Sequence, residues 1–164
     1  MDLTVLENIG LGRLVKEASQ AESVWAFLET NAPRVGVRLL PSEYPDEVDA
    51  WKISPTEYLV VETHPFFFLP AWMGERIKVD PLPDGTVVFR GMIEPFLMDH
   101  FEWSGSFGGH GSPESEAILA CGGEWESASI THTLHVHIPR AETDRFLSKW
   151  QNFVRPAVME DTNG

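Results

Sequence analysis

The chain has 164 residues, of which 43% are hydrophobic and 23% are charged. These values are typical of one globular domain with a substantial core, and they exclude a fibrous or wholly disordered chain. Acidic side chains number 25 against 12 basic ones, and the resulting net charge of −13 disfavours direct binding to nucleic acid or to an anionic membrane surface.

The cellular location is predicted from the chain start, the longest apolar run and the cysteine count. The first ten residues, MDLTVLENIG, carry an acid at position 2 and no basic cluster, unlike a secretory signal. The longest conspicuous apolar run, PFFFLPAWM, is shorter than the roughly 20 residues that span a bilayer. Cys121, the single cysteine, cannot form an intramolecular disulfide, which fits a reducing compartment. We therefore predict a cytoplasmic protein.

The first predicted element is an amphipathic helix. Between Leu11 and Leu28, apolar side chains recur at steps of three and four, which draws one apolar stripe along a helix. Asn31 and Pro33 are expected to end it. The next stretch, RVGVRLL, is typical of a short strand.

A block of β-strands follows. The runs VDAWKI and EYLVVET are separated by Ser-Pro, and the runs ERIKVD and TVVFRGMIE flank a turn signal at Asp84-Gly85. An antiparallel meander is the economical interpretation of this pattern.

The last third of the chain begins with a stretch rich in glycine and serine. Residues 99–123 show no sustained period and are predicted to form a long excursion, with ESEAILA as a single helical turn inside it. The stretch SASITHTLHVHIP then alternates as a strand that ends at Pro139. A final helix, closed by Pro156, is indicated by the spacing of Phe146, Leu147, Trp150, Phe153 and Val154.

Together these elements predict one α+β domain over residues 1–156. Its sheet is expected to be mainly antiparallel, with an N-terminal and a C-terminal helix packed on one face. Residues 157–164 are predicted to form a frayed tail.

The stretch WKISPTEYLVVETHPFFFLPAWMGERIKVDPLPDGTVVFRGMIEP has a distinctive order of residues. It resembles an uncharacterised bacterial domain family, known only as a domain of unknown function, over residues 48–154. The family pattern runs Trp, Tyr about seven residues later, Pro-Phe-Phe, Gly-Asp, and a Ser/Thr-rich strand before a helix. Glu75 replaces the usual Asp, His64 lies near the place of the usual Asn, and residues 99–123 resemble an insertion. The matching positions are Trp51, Tyr58, Pro65, Phe66, Phe67, Gly74, Thr131, Thr133 and the helix around Phe146. The resemblance implies a small α+β domain without an established activity or catalytic residue.

Three histidines fall within six positions of THTLHVHIP. Because side chains alternate along a strand, His135 and His137 are predicted to share one face with Thr131 and Thr133. His132, Leu134, Val136 and Ile138 are predicted on the other face. The two rings could share a zinc or iron ion, which needs a third ligand that the sequence does not identify. The candidate donors are Asp99, His100, Glu102, His110 and Cys121. A solvent-facing polar stripe is the favoured interpretation.

The acidic charge is concentrated in one segment, because no Lys or Arg occurs between Arg90 and Arg140. A solvated face that keeps the protein soluble is one interpretation. The other is a docking surface, in which carboxylates steer the encounter with a basic protein and aromatic side chains anchor the complex. The candidate contact residues are Trp72, Asp99, Glu102, Trp103, Glu114 and Glu116.

The leading functional hypothesis is an acidic intracellular protein-binding domain. An immunity or inhibitor protein that neutralises a basic partner, such as a toxin domain, would work in this way without a cofactor or catalytic residue. Two alternatives stay open. One is a metal-dependent enzyme or metal-binding domain that uses His135 and His137, and the other is a nucleic-acid mimic whose carboxylates take the place of phosphates.

Overall fold

The computed structural model describes residues 24–31, 34–38, 46–62, 73–128 and 133–157. These residues fall into two compact units, each with its own sheet. The barrel unit comprises residues 28–31, 34–38, 46–62 and 73–97, and the sheet unit comprises residues 24–27, 98–128 and 133–157. The prediction of one domain over residues 1–156 did not anticipate this division. Of the predicted tail, residues 158–164 lie outside the described residues.

Five strands close into a barrel in the barrel unit. Neighbours in the chain pair in an antiparallel manner, and the first strand closes the barrel by pairing with the fifth in parallel. The predicted strands and the antiparallel meander are therefore confirmed. The strands are β1 (Arg34–Arg38), β2 (Asp46–Ser54), β3 (Glu57–Glu62), β4 (Arg76–Pro81) and β5 (Val87–Met92).

The turn between β4 and β5 lies where the Asp84-Gly85 signal predicts it. The Asp84 carboxylate accepts the Thr86 backbone N–H at 2.9 Å, and Gly85 adopts a φ of 86°, a conformation that favours glycine. Strand alternation then directs one set of apolar side chains into the barrel core. This core consists of Ala50, Tyr58, Val60, Ile77, Val79 and Val87, with Phe89 and Met92 packed against it.

Helix α1 (Val24–Asn31) ends at the residue that the sequence predicts. The part of the predicted helix before Val24 lies outside the described residues. Within the barrel unit, Leu28 is fully buried, and the Trp51 indole donates a hydrogen bond to the Leu28 carbonyl at 3.2 Å. Within the sheet unit, the buried Trp25 donates its indole N–H to the Gly122 carbonyl at 2.7 Å.

The sheet unit contains four antiparallel strands in the order β7-β8-β6-β9. Two helices, α2 (Pro113–Ala120) and α3 (Thr143–Trp150), belong to the same unit. Short 3-10 turns at Arg140–Glu142 and Gln151–Phe153 flank α3. The strands are β6 (Met98–Trp103), β7 (Glu124–Ala128), β8 (Thr133–Pro139) and β9 (Val154–Pro156).

The prediction of a long excursion over residues 99–123 is wrong at its start, where residues 99–103 belong to a strand, whereas residues 104–112 contain no helix or strand. The beginning of this stretch is β6, which pairs with β8 on one side and β9 on the other. The segment around ESEAILA forms a two-turn helix rather than one turn, and the Ser112 hydroxyl caps its start by accepting the Ser115 N–H at 3.2 Å. Pairing across the sheet makes a strand of the residues that precede the glycine-rich loop.

Two other element boundaries are corrected. The stretch predicted as one strand, SASITHTLHVHIP, is divided, since Ser127 and Ala128 belong to β7 and β8 begins at Thr133. The last predicted helix ends at Trp150, and Val154 and Pro156 form β9 instead of its last turn. The second change arises because β6 provides an edge on which β9 pairs.

The apolar face of the four-stranded sheet packs against side chains of α2 and α3. The buried cluster consists of Phe101, Trp103, Ile118, Cys121, Val136, Ile138 and Phe146. The α+β class is therefore confirmed, although two sheets are present where one was expected. The packing of an N-terminal and a C-terminal helix on one face of a single sheet stays a prediction. None of the helices in the described part of the chain is long and apolar enough to cross a membrane.

A buried carboxylate connects β4 of the barrel unit with the segment after β5. Glu75 is fully buried, and its Oε2 atom accepts the Leu97 backbone N–H at 2.9 Å. Its neighbour Gly74 adopts a φ of 82° and donates its N–H to the Val60 carbonyl at 2.8 Å. The position where the sequence differs from the resembled family therefore has a structural role in this chain.

We expect Glu75→Ala to lower the free energy of unfolding by about 2 to 3 kcal/mol, because the Leu97 N–H loses a charged acceptor. Glu75→Gln should lower it less, because the amide oxygen can still accept this hydrogen bond. Urea denaturation followed by circular dichroism measures both changes. Glu116→Ala, at an exposed position of α2, is the control and should leave the urea midpoint unchanged. Equal midpoints for Glu75→Ala and the control would contradict the assignment.

Candidate functional site

The two faces of β8 differ in chemistry as predicted. His135 and His137 lie on one face, whereas Val136 and Ile138 belong to the buried cluster on the other. Thr131 and His132 lie outside the described residues. The prediction of a solvent-facing stripe is wrong for His137, whose side chain is 0% exposed. Burial of an imidazole requires hydrogen-bonding partners for its ring nitrogens.

The register of the sheet supplies neighbours of the two histidines. His137 lies opposite His100 on β6 and Glu124 on β7. His135 lies opposite Glu102 on β6 and Glu126 on β7. Because residues directly opposite in an antiparallel sheet share a face, these side chains form one polar surface. We call it the histidine-carboxylate face, and its members are His100, Glu102, Glu124, Glu126, His135 and His137.

A chain of hydrogen bonds crosses this face through His137. Its Nε2 atom lies 2.8 Å from Glu126 Oε2, and its Nδ1 atom lies 2.8 Å from His100 Nδ1. An ionised carboxylate only accepts, so His137 Nε2 carries a proton. When both rings are neutral, His137 Nδ1 therefore accepts the hydrogen bond that the His100 Nδ1–H donates. Protonation of both rings would place two N–H donors against each other.

Sequence reasoning missed Glu126 as the partner of His137. The spacing of Glu124 and Glu126 is a weak signal, since two acids two residues apart share one face of a strand. Gly123 was also missed, and it begins the segment that leads into β7. A Cβ atom at Gly123 would lie 2.4 Å from the His137 carbonyl oxygen, so only glycine allows this close approach to β8.

Burial disfavours the charged form of His135. The pKa of His135 lies below its ordinary value, chiefly because burial disfavours the charged ring and also because of the nearby His137. Glu102 and Glu126 act in the opposite direction by favouring the charged form. Glu102 is itself paired with Arg155, whose Nη2 atom lies 2.7 Å from Glu102 Oε2. The neutral form of His135 is thus favoured despite two nearby carboxylates.

The side chains of the described residues do not fit a metal centre. No group of three or more His, Cys, Asp or Glu residues in the described ranges is arranged to hold a metal ion. Both ring nitrogens of His137 have hydrogen-bonding partners. Of the candidate third ligands, Cys121 lies in the apolar cluster, and the ring of His110 packs against Trp125 at 4.8 Å between centroids. The zinc or iron hypothesis gains no support from this geometry.

Three of the predicted partner-binding residues have internal roles. Asp99 accepts a hydrogen bond from the Thr143 hydroxyl at 2.6 Å, and its carboxylate lies 3.4 Å from Arg140 Nε. It therefore fixes the start of α3 to β6. Glu102 pairs with Arg155. The side chain of Trp103 is 8% exposed and belongs to the apolar cluster.

The remaining predicted residues are two acids of α2 and one tryptophan. The Glu114 carboxylate accepts the Gly108 N–H, and backbone hydrogen bonds from Glu114 and Gly108 lower the pKa of this carboxyl. Glu116 is exposed, and within the described part of the chain its carboxylate has no cationic partner. Trp72 lies outside the described residues. Among the described residues, neither Glu114 nor Glu116 shares a hydrogen bond or ion pair with Asp99 or Glu102.

Comparisons with known proteins give one structural likeness. No protein-family model and no curated protein matches the chain. A solved structure of a hypothetical protein from Neisseria gonorrhoeae is similar over 80% of this chain and 97% of its own, with 14% sequence identity and a TM-score of 0.43. Similarity at this level indicates nothing about function. The resemblance to a domain of unknown function stays a prediction.

We expect His135 to lower the stability of the protein as the pH is lowered from about 7.5 to 5.5. The folded-state pKa of His135 lies below the unfolded value of about 6.5, so the unfolded state binds more protons in this range. The stabilisation is present above the unfolded pKa and is lost as the pH falls through the folded one. Urea midpoints at about pH 7.5, 6.5 and 5.5 measure the slope. His135→Gln should remove this contribution, so that the midpoint gains less between about pH 5.5 and 7.5 than it does with His135 in place, and equal slopes for the two proteins would contradict the expectation.

The hydrogen-bond chain also predicts the tautomers of two histidines. At about pH 8, well above the ordinary histidine pKa, His137 should carry its proton on Nε2 and His100 should carry its proton on Nδ1. Nitrogen-15 NMR of the imidazole rings distinguishes the two tautomers directly. Glu126→Gln should change the His137 signals, because the amide can donate where the carboxylate only accepts. An Nε2-protonated His100 at this pH would show that the contact between the two Nδ1 atoms is wrongly assigned.

Proposed function

We propose that this chain is an acidic protein-binding domain that neutralises a basic protein partner, in the manner of an immunity or inhibitor protein. The supporting observation is that the basic side chains in the described part of the sheet unit all have partners within that unit. Residues 98–128 and 133–157 contain eight acidic and four basic residues. If the basic residues are already engaged, the surplus carboxylates have no internal counter-charge and are available to a positively charged surface of another molecule.

Each of the four basic side chains in this described part has a partner. Lys149 lies over the Trp150 ring, with 5.3 Å between its Nζ atom and the ring centroid. The three arginines form ion pairs with acids of the same unit. These pairs are Arg140 with Asp99, Arg145 with Glu142, and Arg155 with Glu102. Exposed pairs of this kind contribute little stability, but each one neutralises a carboxylate.

Glu114, Glu116 and Asp144 have no such cation among the described residues. Glu114 and Glu116 lie in the first turn of α2, and the last turn of that helix carries no basic residue. Asp144 is exposed in the first turn of α3. The uncompensated charge is therefore carried by side chains at the helical elements of the sheet unit. The histidine-carboxylate face, by contrast, satisfies much of its polarity internally.

The proposed mechanism is steric and electrostatic. Carboxylates raise the rate of encounter with a positively charged surface, and this contribution falls as salt screens the charges. Well-packed contacts formed after the encounter then slow dissociation. Neither step requires a cofactor or a reacting side chain. A partner inhibited in this way would have its functional cleft occupied by the domain.

The proposal is tested by capture followed by reconstitution. Proteins retained on the immobilised chain are identified by mass spectrometry, and each is then purified and titrated against the chain at about 50 and 300 mM NaCl. We expect a partner with a positive net charge and a Kd that weakens at least about tenfold at the higher salt. The purified partner should also lose its own activity in the complex.

Two matched variants test which of the two units carries the carboxylates that contribute to partner binding. Glu116→Gln should weaken binding about two- to fivefold at low salt, because it removes an uncompensated carboxylate of the sheet unit. Glu94→Gln removes an exposed carboxylate of the barrel unit and should change the Kd less. A neutral or acidic partner, or a Kd that does not change with salt, would contradict the proposal.

A further inference from the structure

Six aromatic rings of the sheet unit form a continuous row. Their neighbouring centroids lie 4.8 to 5.7 Å apart, within the usual range for interacting aromatic pairs. The row runs from His110, which packs on Trp125 of β7, to Trp150 at the end of α3 and Phe153 after it. Its members are, in order of contact, His110, Trp125, Phe107, Trp103, Trp150 and Phe153, and we call them the aromatic row.

The row has a buried middle and accessible ends. Trp103 is 8% exposed and contacts Phe107, Trp150 and Phe153. Phe153, stacked on Trp103 at an interplanar angle of 18°, is 44% exposed and is the one exposed large hydrophobic residue in the described part of the chain. An accessible aromatic ring on a buried aromatic base is a common form of binding anchor.

The protein already places one cation on this row. Lys149 Nζ lies 5.3 Å from the Trp150 ring centroid. The negative electrostatic face of an indole ring attracts a cation at this distance. Trp150 also contacts Phe153 and Trp103, so the ring that holds the internal cation is itself in contact with the exposed ring of Phe153.

Hydrogen bonds hold the row in place before any partner arrives. The Ser104 N–H and hydroxyl both donate to the Phe153 carbonyl, at 2.7 and 3.1 Å. The Trp103 indole donates to the Ser106 carbonyl at 3.2 Å. On the other side of Phe107, the Glu114 carboxylate accepts the Gly108 N–H. A surface fixed in this way loses little conformational entropy on binding, and it carries a carboxylate next to its rings.

We infer that the aromatic row is the docking surface for an arginine-rich segment of the basic partner. The inference rests on the proposed function and adds to it the surface and the chemistry of the partner. Arginine is favoured over lysine because its planar guanidinium stacks on an aromatic ring and still directs N–H donors towards carboxylates. Phe153 provides the accessible ring, and the acidic surplus of the unit supplies the opposite charge.

The first test compares three labelled peptides of nine residues by fluorescence anisotropy in about 50 mM NaCl. They are nona-arginine, nona-lysine and a neutral Gly-Ser peptide. We expect nona-arginine to bind several-fold more tightly than nona-lysine and the neutral peptide not to bind. Phe153→Leu should weaken nona-arginine binding about two- to fivefold, because leucine keeps the apolar contact but removes the aromatic face. Binding of nona-lysine should change less.

The second test uses the internal cation. Lys149→Gln removes the charge that lies over Trp150, so this ring becomes available and nona-arginine should bind more tightly. Arg145→Gln is the matched control, because it removes one positive charge from the same helix at a residue paired with Glu142. The gain should be at least about twofold larger for Lys149→Gln than for Arg145→Gln. Circular dichroism and urea midpoints verify that each variant is folded.

The possible results separate the inference from the proposed function. Salt-sensitive binding of both basic peptides that Phe153→Leu does not change would support the proposed function and overturn the aromatic row as its surface. Absence of binding to both basic peptides would overturn both. Equal gains for Lys149→Gln and Arg145→Gln would also overturn the inference, since only the net charge would then matter.

Discussion

The pairing of β6 with β8 is the interaction on which the sheet unit depends. Six consecutive residues of each strand are in register, and this register sets both faces of the sheet together. It places Phe101 beside Val136 over the helices and His100 beside His137 on the opposite face. A shift by one residue would move the histidines into the apolar cluster and the apolar side chains out of it. The core and the histidine-carboxylate face therefore stabilise the same register.

Much of the fold follows from short-range patterns in the sequence. Alternation in EYLVVET and ERIKVD, with a turn at Asp84-Gly85, was enough to predict the meander of the barrel unit. The same rule separated His135 and His137 from Val136 and Ile138. These patterns succeed because the alternation of apolar and polar residues within one strand shows which of its side chains share a face. They do not reveal that the meander closes into a barrel, because closure depends on the pairing of β1 with β5, strands that are distant in the sequence.

The errors concern elements that exist only because of distant partners. β6 precedes a glycine-rich stretch, and only its pairing with β8 and β9 identifies it as a strand. The helical spacing of Phe153 and Val154 continues past the helix end, but the edge of β6 draws Val154 into β9. Glu126 was missed as a partner of His137 for the same reason, and His100 was named only as a possible metal ligand. His100 reaches His137 from β6 and Glu126 reaches it from β7. The spacing of residues within one segment does not show which strands pair or in what register.

The distribution of polar side chains distinguishes structural from accessible charge. Buried polar groups are tolerated only when hydrogen bonds replace the lost water, and His137 meets this condition through Glu126 and His100. Both ring nitrogens of His137 would have to give up these hydrogen bonds before they could bind a ligand. Glu116 and Phe153 are exposed instead, and neither has a comparable network to lose. Under the proposed function, a partner that contacts these side chains would displace water rather than internal hydrogen bonds, which makes the accessible acids and rings a better basis for recognition than His137.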